Sequence, residues 1–164
     1  MNQPAPMTPR PAPEWQVSQW FNTDRPLALS DFRGRVVALH AFQMLCPGCV
    51  RDGLPQAQRI AHLFDASRVA VVGLHSVFEH HHAMTPDALA VFIREYRLTF
   101  PIGVDRPGSA GPIPATMAAY AMQGTPTLIL IDPSGRLRKQ SFGVEDDMRV
   151  GADIAFLLAE QEAG

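Results

Sequence analysis

Two unbroken apolar runs dominate the chain, residues 35–42 (RVVALHAF) and residues 69–75 (VAVVGLH). Both have strand length and lack polar alternation, as strands buried on both faces do. Residues 100–104 and 127–131 read as two more strands. Residues 137–142 pair back on the latter across Asp132-Pro133-Ser134-Gly135, a hairpin signature. Helical periodicity fills the gaps. Leu89, Phe92, Ile93 and Tyr96 share one helical face behind the cap Thr85-Pro86, so Phe92 and Tyr96 are assigned to the core. Val150, Ile154, Leu157 and Leu158 do the same for a helix over 146–160, and residues 115–122 suit a short helix. A further helix should open at Cys46-Pro47, since proline suits the first helical position. It runs on through Val50, Leu54, Ala57, Ile60, Ala61 and Phe64, with a bend where Gly53 and Pro55 fall. Near the start, residues 15–21 and 26–29 read as a β-hairpin extension, with Trp15 and Trp20 as packing residues. Prolines at 4, 6, 9, 11 and 13 mark residues 1–13 as an extended or disordered tail. Strands alternating with helices, then a terminal hairpin and helix, predict an α/β fold. Its central mixed β-sheet is flanked by helices, in one domain over 14–164.

Composition narrows the function. A chain of 164 residues that is 46% hydrophobic can bury roughly 70% of its unfolded surface, enough to need no staple. A net charge of −2 offers no basic excess to a phosphate backbone, so nucleic acid is not an expected partner. The first fifteen residues hold no apolar stretch of a secretory signal, and no window approaches the ~18 apolar residues of a membrane span. The expectation is a cytoplasmic protein with no membrane partner.

Cys46 and Cys49 are the only cysteines. As a staple, so short a loop contributes only about 2 kcal/mol, and cytosolic thiols are normally reduced. As a zinc site, the pair lacks a second pair to complete four ligands. Redox chemistry is the use that remains.

Three segments resemble the thioredoxin superfamily, in its TlpA-like or redoxin branch related to AhpC/TSA proteins. They are the strand leading into Cys46-Pro47-Gly48-Cys49; Phe100-Pro101-Ile102-Gly103-Val104-Asp105; and the segment from Gly124-Thr125-Pro126-Thr127 to Asp132-Pro133-Ser134-Gly135-Arg136. The resemblance spans about residues 15–160. It implies a thioredoxin-like fold and a thiol–disulfide oxidoreductase in which Cys46 attacks and Cys49 resolves. It also implies a cis Thr125–Pro126 bond facing the pair, with the Thr125 backbone available to an added substrate strand. Leu45, Pro47 and Gly48 would complete the substrate surface. Leu45 stands where the family usually has tryptophan, which leaves that surface flexible and apolar. Pro55 follows Cys49 by six residues where the family has five, which predicts a local bulge over 51–53. His40 lies six residues before Cys46, where thioredoxins carry a buried acid that accepts the resolving thiol's proton. His40 could take that part; the alternatives are a hydrogen-bonded core histidine or one turned to the other face.

Energetics set what the site must do. Thiolate is the attacking species, and lowering a thiol from about 8.5 to about 7 takes about 2 kcal/mol. A helix N-terminus supplies about 0.3–1 kcal/mol at an exposed site, so hydrogen bonds must add the rest. An exposed, more readily ionised Cys46 and a Cys49 buried by the first helical turn are expected. No cofactor is expected beyond the redox-active Cys46–Cys49 disulfide. The expected partners are protein or small-molecule disulfides and a dithiol electron donor.

Two other functions compete. Peroxidases of related fold carry P-x-x-x-T-x-x-C. Counted back from Cys46 those positions hold Gln43 and Leu39, and counted back from Cys49 the threonine position holds Cys46. Copper carriers of this fold use C-x-x-x-C, one residue wider than the motif here. His75, Glu79, His80, His81 and His82 offer ligand types, but adjacent histidines rarely share one ion; a polar loop or a helix cap before Thr85 is the commoner use, a part in shaping the substrate groove comes between, and no metal site is expected.

Overall fold

The computed structural model describes residues 7–164. Its strands are β1 (Arg10–Pro11), β2 (Val17–Phe21), β3 (Val36–Phe42), β4 (Val69–His75), β5 (Ile102–Asp105), β6 (Thr127–Ile131) and β7 (Arg136–Phe142). Its α-helices are α1 (Leu54–Leu63), α2 (Pro86–Glu95), α3 (Ala115–Ala119) and α4 (Asp147–Ala163). The strands form one mixed sheet in the order β1-β7-β6-β3-β4-β5-β2. β3 lies at the centre, parallel to β4 and antiparallel to β6. This is a thioredoxin-like fold.

The run at 36–42 is continuous because both faces of β3 are covered. Val36, Ala38 and Phe42 enter a core built with α1, α2 and α4, including Leu54, Ala57, Leu89 and Ile154. Val37, Leu39 and Ala41 enter a second core with Leu29, Phe32, Met117 and Tyr120. His40 shares the parity of Ala38 and Phe42, so it faces the α1 side. The helices end where their chemistry dictates. Thr85 Oγ1 accepts the Ala88 amide at 3.2 Å to cap α2, and Asp146 Oδ1 accepts the Met148 amide at 2.9 Å to cap α4.

Four expectations change. Residues 15–21 and 26–29 do not form a hairpin. β2 pairs antiparallel with β5, Trp20 opposite Gly103, because Gly103 has no side chain to keep Val17 and Trp20 off that strand. Leu29–Phe32 instead forms a short 3₁₀ turn. The proline-rich tail is ordered at its end, where Arg10–Pro11 pairs with β7 and the Ala12 amide donates to Gly135 O at 3.0 Å. An edge strand tolerates proline, and this one closes the open side of β7. Residues 1–6 of that tail lie outside the described residues. Tyr96 is not core: it is 49% exposed, stacked on Phe92 at a ring separation of 4.3 Å. The helix expected over 115–122 ends at Ala119, ahead of a positive φ at Ala121.

The units β3–α1–β4 and β4–α2–β5 are parallel crossovers, so the carboxyl ends of β3 and β4 emerge along the same sheet edge. The loop carrying Cys46 and the loop over 76–84 meet there.

Candidate active site

β3 ends at Phe42, and the chain turns through Gln43, Met44 and Leu45 into a helix that begins at Pro47. The turn is held from behind by the β4 loop. The Met44 amide donates to His75 Nε2 at 3.3 Å, the Phe78 amide donates to Gln43 Oε1 at 3.2 Å, and the Ser76 amide donates to Phe42 O at 3.1 Å. Gln43 O then receives the Cys46 amide at 3.1 Å. Four hydrogen bonds thus fix the approach to the first cysteine, and neither this bonding role of Gln43 nor the Met44–His75 contact is signalled by the sequence pattern.

Both cysteines are thiols. Cys46 is half-buried and Cys49 is fully buried. The Cys49 amide donates to Cys46 Sγ at 3.3 Å, and the Cys46 thiol donates to Thr125 O at 3.4 Å. Burial, reinforced by the Cys46 hydrogen bond, pushes the Cys49 thiol up to about 12, against smaller opposing contributions from Gln43 and Thr125. The two sulfurs are therefore inequivalent, one reachable and one held protonated.

The extra residue between Cys49 and Pro55 is absorbed as a π-helical turn over Cys49–Gly53 that passes directly into α1. A π-bulge is how a helix accommodates one added residue, and it often marks a functional site. The Thr125–Pro126 peptide bond is cis. Pro126 packs against the bulged turn so closely that a Cβ on Gly53 would lie 3.0 Å from Pro126 Cβ, and one on Gly48 would lie 3.4 Å from Pro126 Cδ. The proline is fixed from outside by the Gly143 amide, which donates to Pro126 O at 2.8 Å. Leu45 is 58% exposed, Phe142 54% and Val144 60%; Gly143, between the last two, carries that bond to Pro126. The structure thus brings Cys46, Cys49, Pro47, Gly48, Thr125 and Pro126 together.

His40 is 3% exposed, and burial lowers it to about 4. It lines a small cavity with Asp52, Gln56 and Pro126. The histidine cluster divides. His75 is buried under the Met44 turn with its ring 5.1 Å from Phe42, and burial lowers it to about 4. His80, His81 and His82 are exposed ahead of α2. Among the described residues, no group of three His, Cys, Asp or Glu side chains is arranged to hold a metal ion.

A thioredoxin fold with a CxxC pair at the head of a helix and a cis-proline against it defines a class of redox proteins. The AhpC/TSA family model matches residues 9–140, and the chain belongs to that family. Two solved structures are close in sequence and shape. A thioredoxin-like superfamily protein is 55% identical, covering 90% of this chain and 96% of its own, with a TM-score of 0.89. A thiol-disulfide isomerase from Corynebacterium glutamicum is 50% identical, with the same coverage and a TM-score of 0.87. The thiol:disulfide interchange protein DsbE from Chlorobium tepidum, at 22% identity and a TM-score of 0.75, shares the fold. Protein DipZ of Mycobacterium tuberculosis is 27% identical over 132 residues, and the match spans 79% of this chain but only 18% of DipZ. The three solved structures share the fold, and two of them bear thiol–disulfide names.

Proposed function

We propose that this chain is a dithiol oxidoreductase that reduces or exchanges disulfides, chiefly in proteins. The observation that carries this reading is the pairing of a reachable Cys46 sulfur with a sealed Cys49 amide and thiol directly behind it. Cys46 attacks a substrate disulfide as the thiolate, one substrate sulfur leaves as a thiolate, and the other is held in a mixed disulfide. The Cys49 sulfur, once deprotonated, attacks Cys46 Sγ. The mixed bond breaks, the Cys46–Cys49 bond forms, and the second substrate sulfur departs. Two electrons pass from the protein to the substrate, and a separate dithiol donor restores the protein. Thr125 and Pro126 supply the backbone edge for the substrate chain, and Leu45, Pro47 and Gly48 form the surface beside it.

His40 is proposed to accept the Cys49 proton. Mixed-disulfide formation removes the Cys46 hydrogen bond that helps hold Cys49 protonated. Burial raises the Cys49 thiol and lowers His40, so the transfer runs uphill in the resting protein and is drawn forward by formation of the Cys46–Cys49 bond.

The AhpC/TSA match favours a second reading, peroxide reduction by Cys46 with Cys49 resolving. Gln43 stands where the peroxidase motif places its threonine, which argues for disulfides as the main substrate. Stopped-flow oxidation separates the two: slow loss of thiol to peroxide beside fast disulfide exchange supports the reductase. The direct test of the proposal is Cys49→Ser in a lysate. Cys46-linked mixed disulfides should accumulate, and an absence of captured partners contradicts the reading.

A further inference from the structure

We propose that the outer face of α4 is a contact between two copies of this chain, packed antiparallel about a two-fold axis beside Ile154. Val150, Ile154, Leu157 and Leu158 turn inward and are buried. On the other side Met148, Ala152, Ala155, Phe156 and Ala159 are all exposed, Met148 by 84% and Phe156 by 60%. Every exposed position between Val150 and Glu160 is therefore apolar. A helix with one face in the core and the other in water keeps polar residues on the wet side. α4 presents an apolar stripe there instead, and nothing in the described chain covers it.

Charge and shape along the stripe match it to a second α4. Arg149 stands at one end and Glu160 at the other. Eleven residues make about three turns, so both lie on the same flank, with Phe156 between them. In an antiparallel two-fold pair, like flanks meet with their ends exchanged. Arg149 then comes opposite Glu160 of the second copy, twice over. Phe156 comes opposite Ala152, a large residue against a small one, and Met148 opposite Ala159. The midpoints of these pairings coincide at Ile154 to within one residue, a rise of about 1.5 Å, so a single register satisfies all of them. A parallel pair would set Arg149 on Arg149 and Phe156 on Phe156. The antiparallel pair also opposes the two helix dipoles.

The charged groups are free to take these places. Arg149 is exposed and touches Asp153 only loosely, Nε to Oδ1 at 3.3 Å. Glu160 is held outward by Arg138 at 2.6 Å, and a carboxylate has acceptor sites left for a second guanidinium. Asp153, the acid nearest the middle of the stripe, is turned onto Lys139, so no unpaired charge is trapped. Alanines at the centre let the helix axes approach to about 8 Å. Across Gly151 the apolar surface continues into the groove against α1, where Leu63 is 73% exposed. Together these side chains bury roughly 1,000 Å² in the pair, the low end for a specific interface. The dimer is accordingly weak and reversible, with a dissociation constant on the order of 10–100 µM.

Sedimentation equilibrium tests the contact, on full-length protein kept reduced so that Cys46 cannot cross-link two copies. From about 1 µM to about 1 mM the average mass should climb from 18.0 kDa toward twice that value. Phe156→Asp should hold the monomer mass over the whole range and leave disulfide exchange unchanged, since no residue of the stripe is among those around Cys46. Arg149→Glu and Glu160→Arg should each weaken self-association about tenfold, through like charges at both ends. Mixed together, the two variants should associate again, because the mixed pair alone sets opposite charges at both ends. Circular dichroism checks that each variant is folded. A wild type that stays at 18.0 kDa throughout overturns the proposal, as does a dimer that Phe156→Asp leaves intact. Folded charge variants that do not associate on mixing overturn the antiparallel pairing.

Discussion

The amide of Cys49 points at the sulfur of Cys46 from 3.3 Å. That N–H holds the reachable sulfur over the first helical turn, while the Cys49 thiol is fully buried, which favours its neutral form. One turn of helix thus assigns opposite tasks to two identical side chains.

That division is visible by alkylation. In reduced protein at pH 7 to 9, iodoacetamide should modify Cys46 and leave Cys49 untouched, because a thiol near 12 carries almost no thiolate there. Peptide mapping by mass spectrometry reads the two sites separately. Comparable labelling of both cysteines contradicts the assignment.

The close approach of the bulged turn to the cis-proline gives a packing prediction. A Cβ at Gly53 would lie 3.0 Å from Pro126 Cβ, a ring atom that cannot swing aside. Gly53→Ala should lower stability by about 1–3 kcal/mol, as overpacking does, and slow disulfide exchange. Chemical denaturation measures the first effect; an unchanged midpoint contradicts the contact.

Two buried histidines make the fold sensitive to acid. His40 and His75 are each lowered to about 4 by burial, while an unfolded histidine titrates near 6.5. Between those values the unfolded chain binds more protons than the native one, so stability is full above about pH 6.5 and lost as pH falls toward 4. Each histidine should remove about 2 kcal/mol between pH 7 and pH 5. Asp105, raised by burial, acts in the opposite sense at the acid end of that window. Denaturant unfolding at the two pH values checks the sum, and equal stability at both contradicts it.

His75 also acts locally. His75→Leu leaves the buried Met44 amide without its acceptor, which should cost about 1–3 kcal/mol and loosen the turn into Cys46. Amide hydrogen exchange at residues 43–46 should rise in this variant; unchanged protection there contradicts the role.

Much of this site was legible in the sequence. The apolar runs at 35–42 and 69–75 located the two central strands, and Pro47 located the helix start, because burial and proline geometry leave short-range marks. The added residue before Pro55 announced the irregular turn over Cys49–Gly53. The partners of β1 and β2 were not legible. An edge strand is chosen by whichever sheet edge is open, here β7 and the Gly103 side of β5, and nothing local encodes that. The outward position of Tyr96 escaped as well, since it extends a perfect helical stripe into the last turn, where the chain leaves the core. The bonding role of Gln43 was missed because it depends on a contact from another element, the amide of Phe78.

The most direct measurement is the fate of a disulfide-bonded peptide mixed with reduced wild-type protein, Cys49→Ser and Cys46→Ser, quenched with acid and resolved by mass. The wild type should reduce the peptide and finish with a Cys46–Cys49 disulfide, Cys49→Ser should stop as a Cys46–peptide adduct, and Cys46→Ser should do neither. Reduction of the peptide by Cys46→Ser at the wild-type rate would contradict the account.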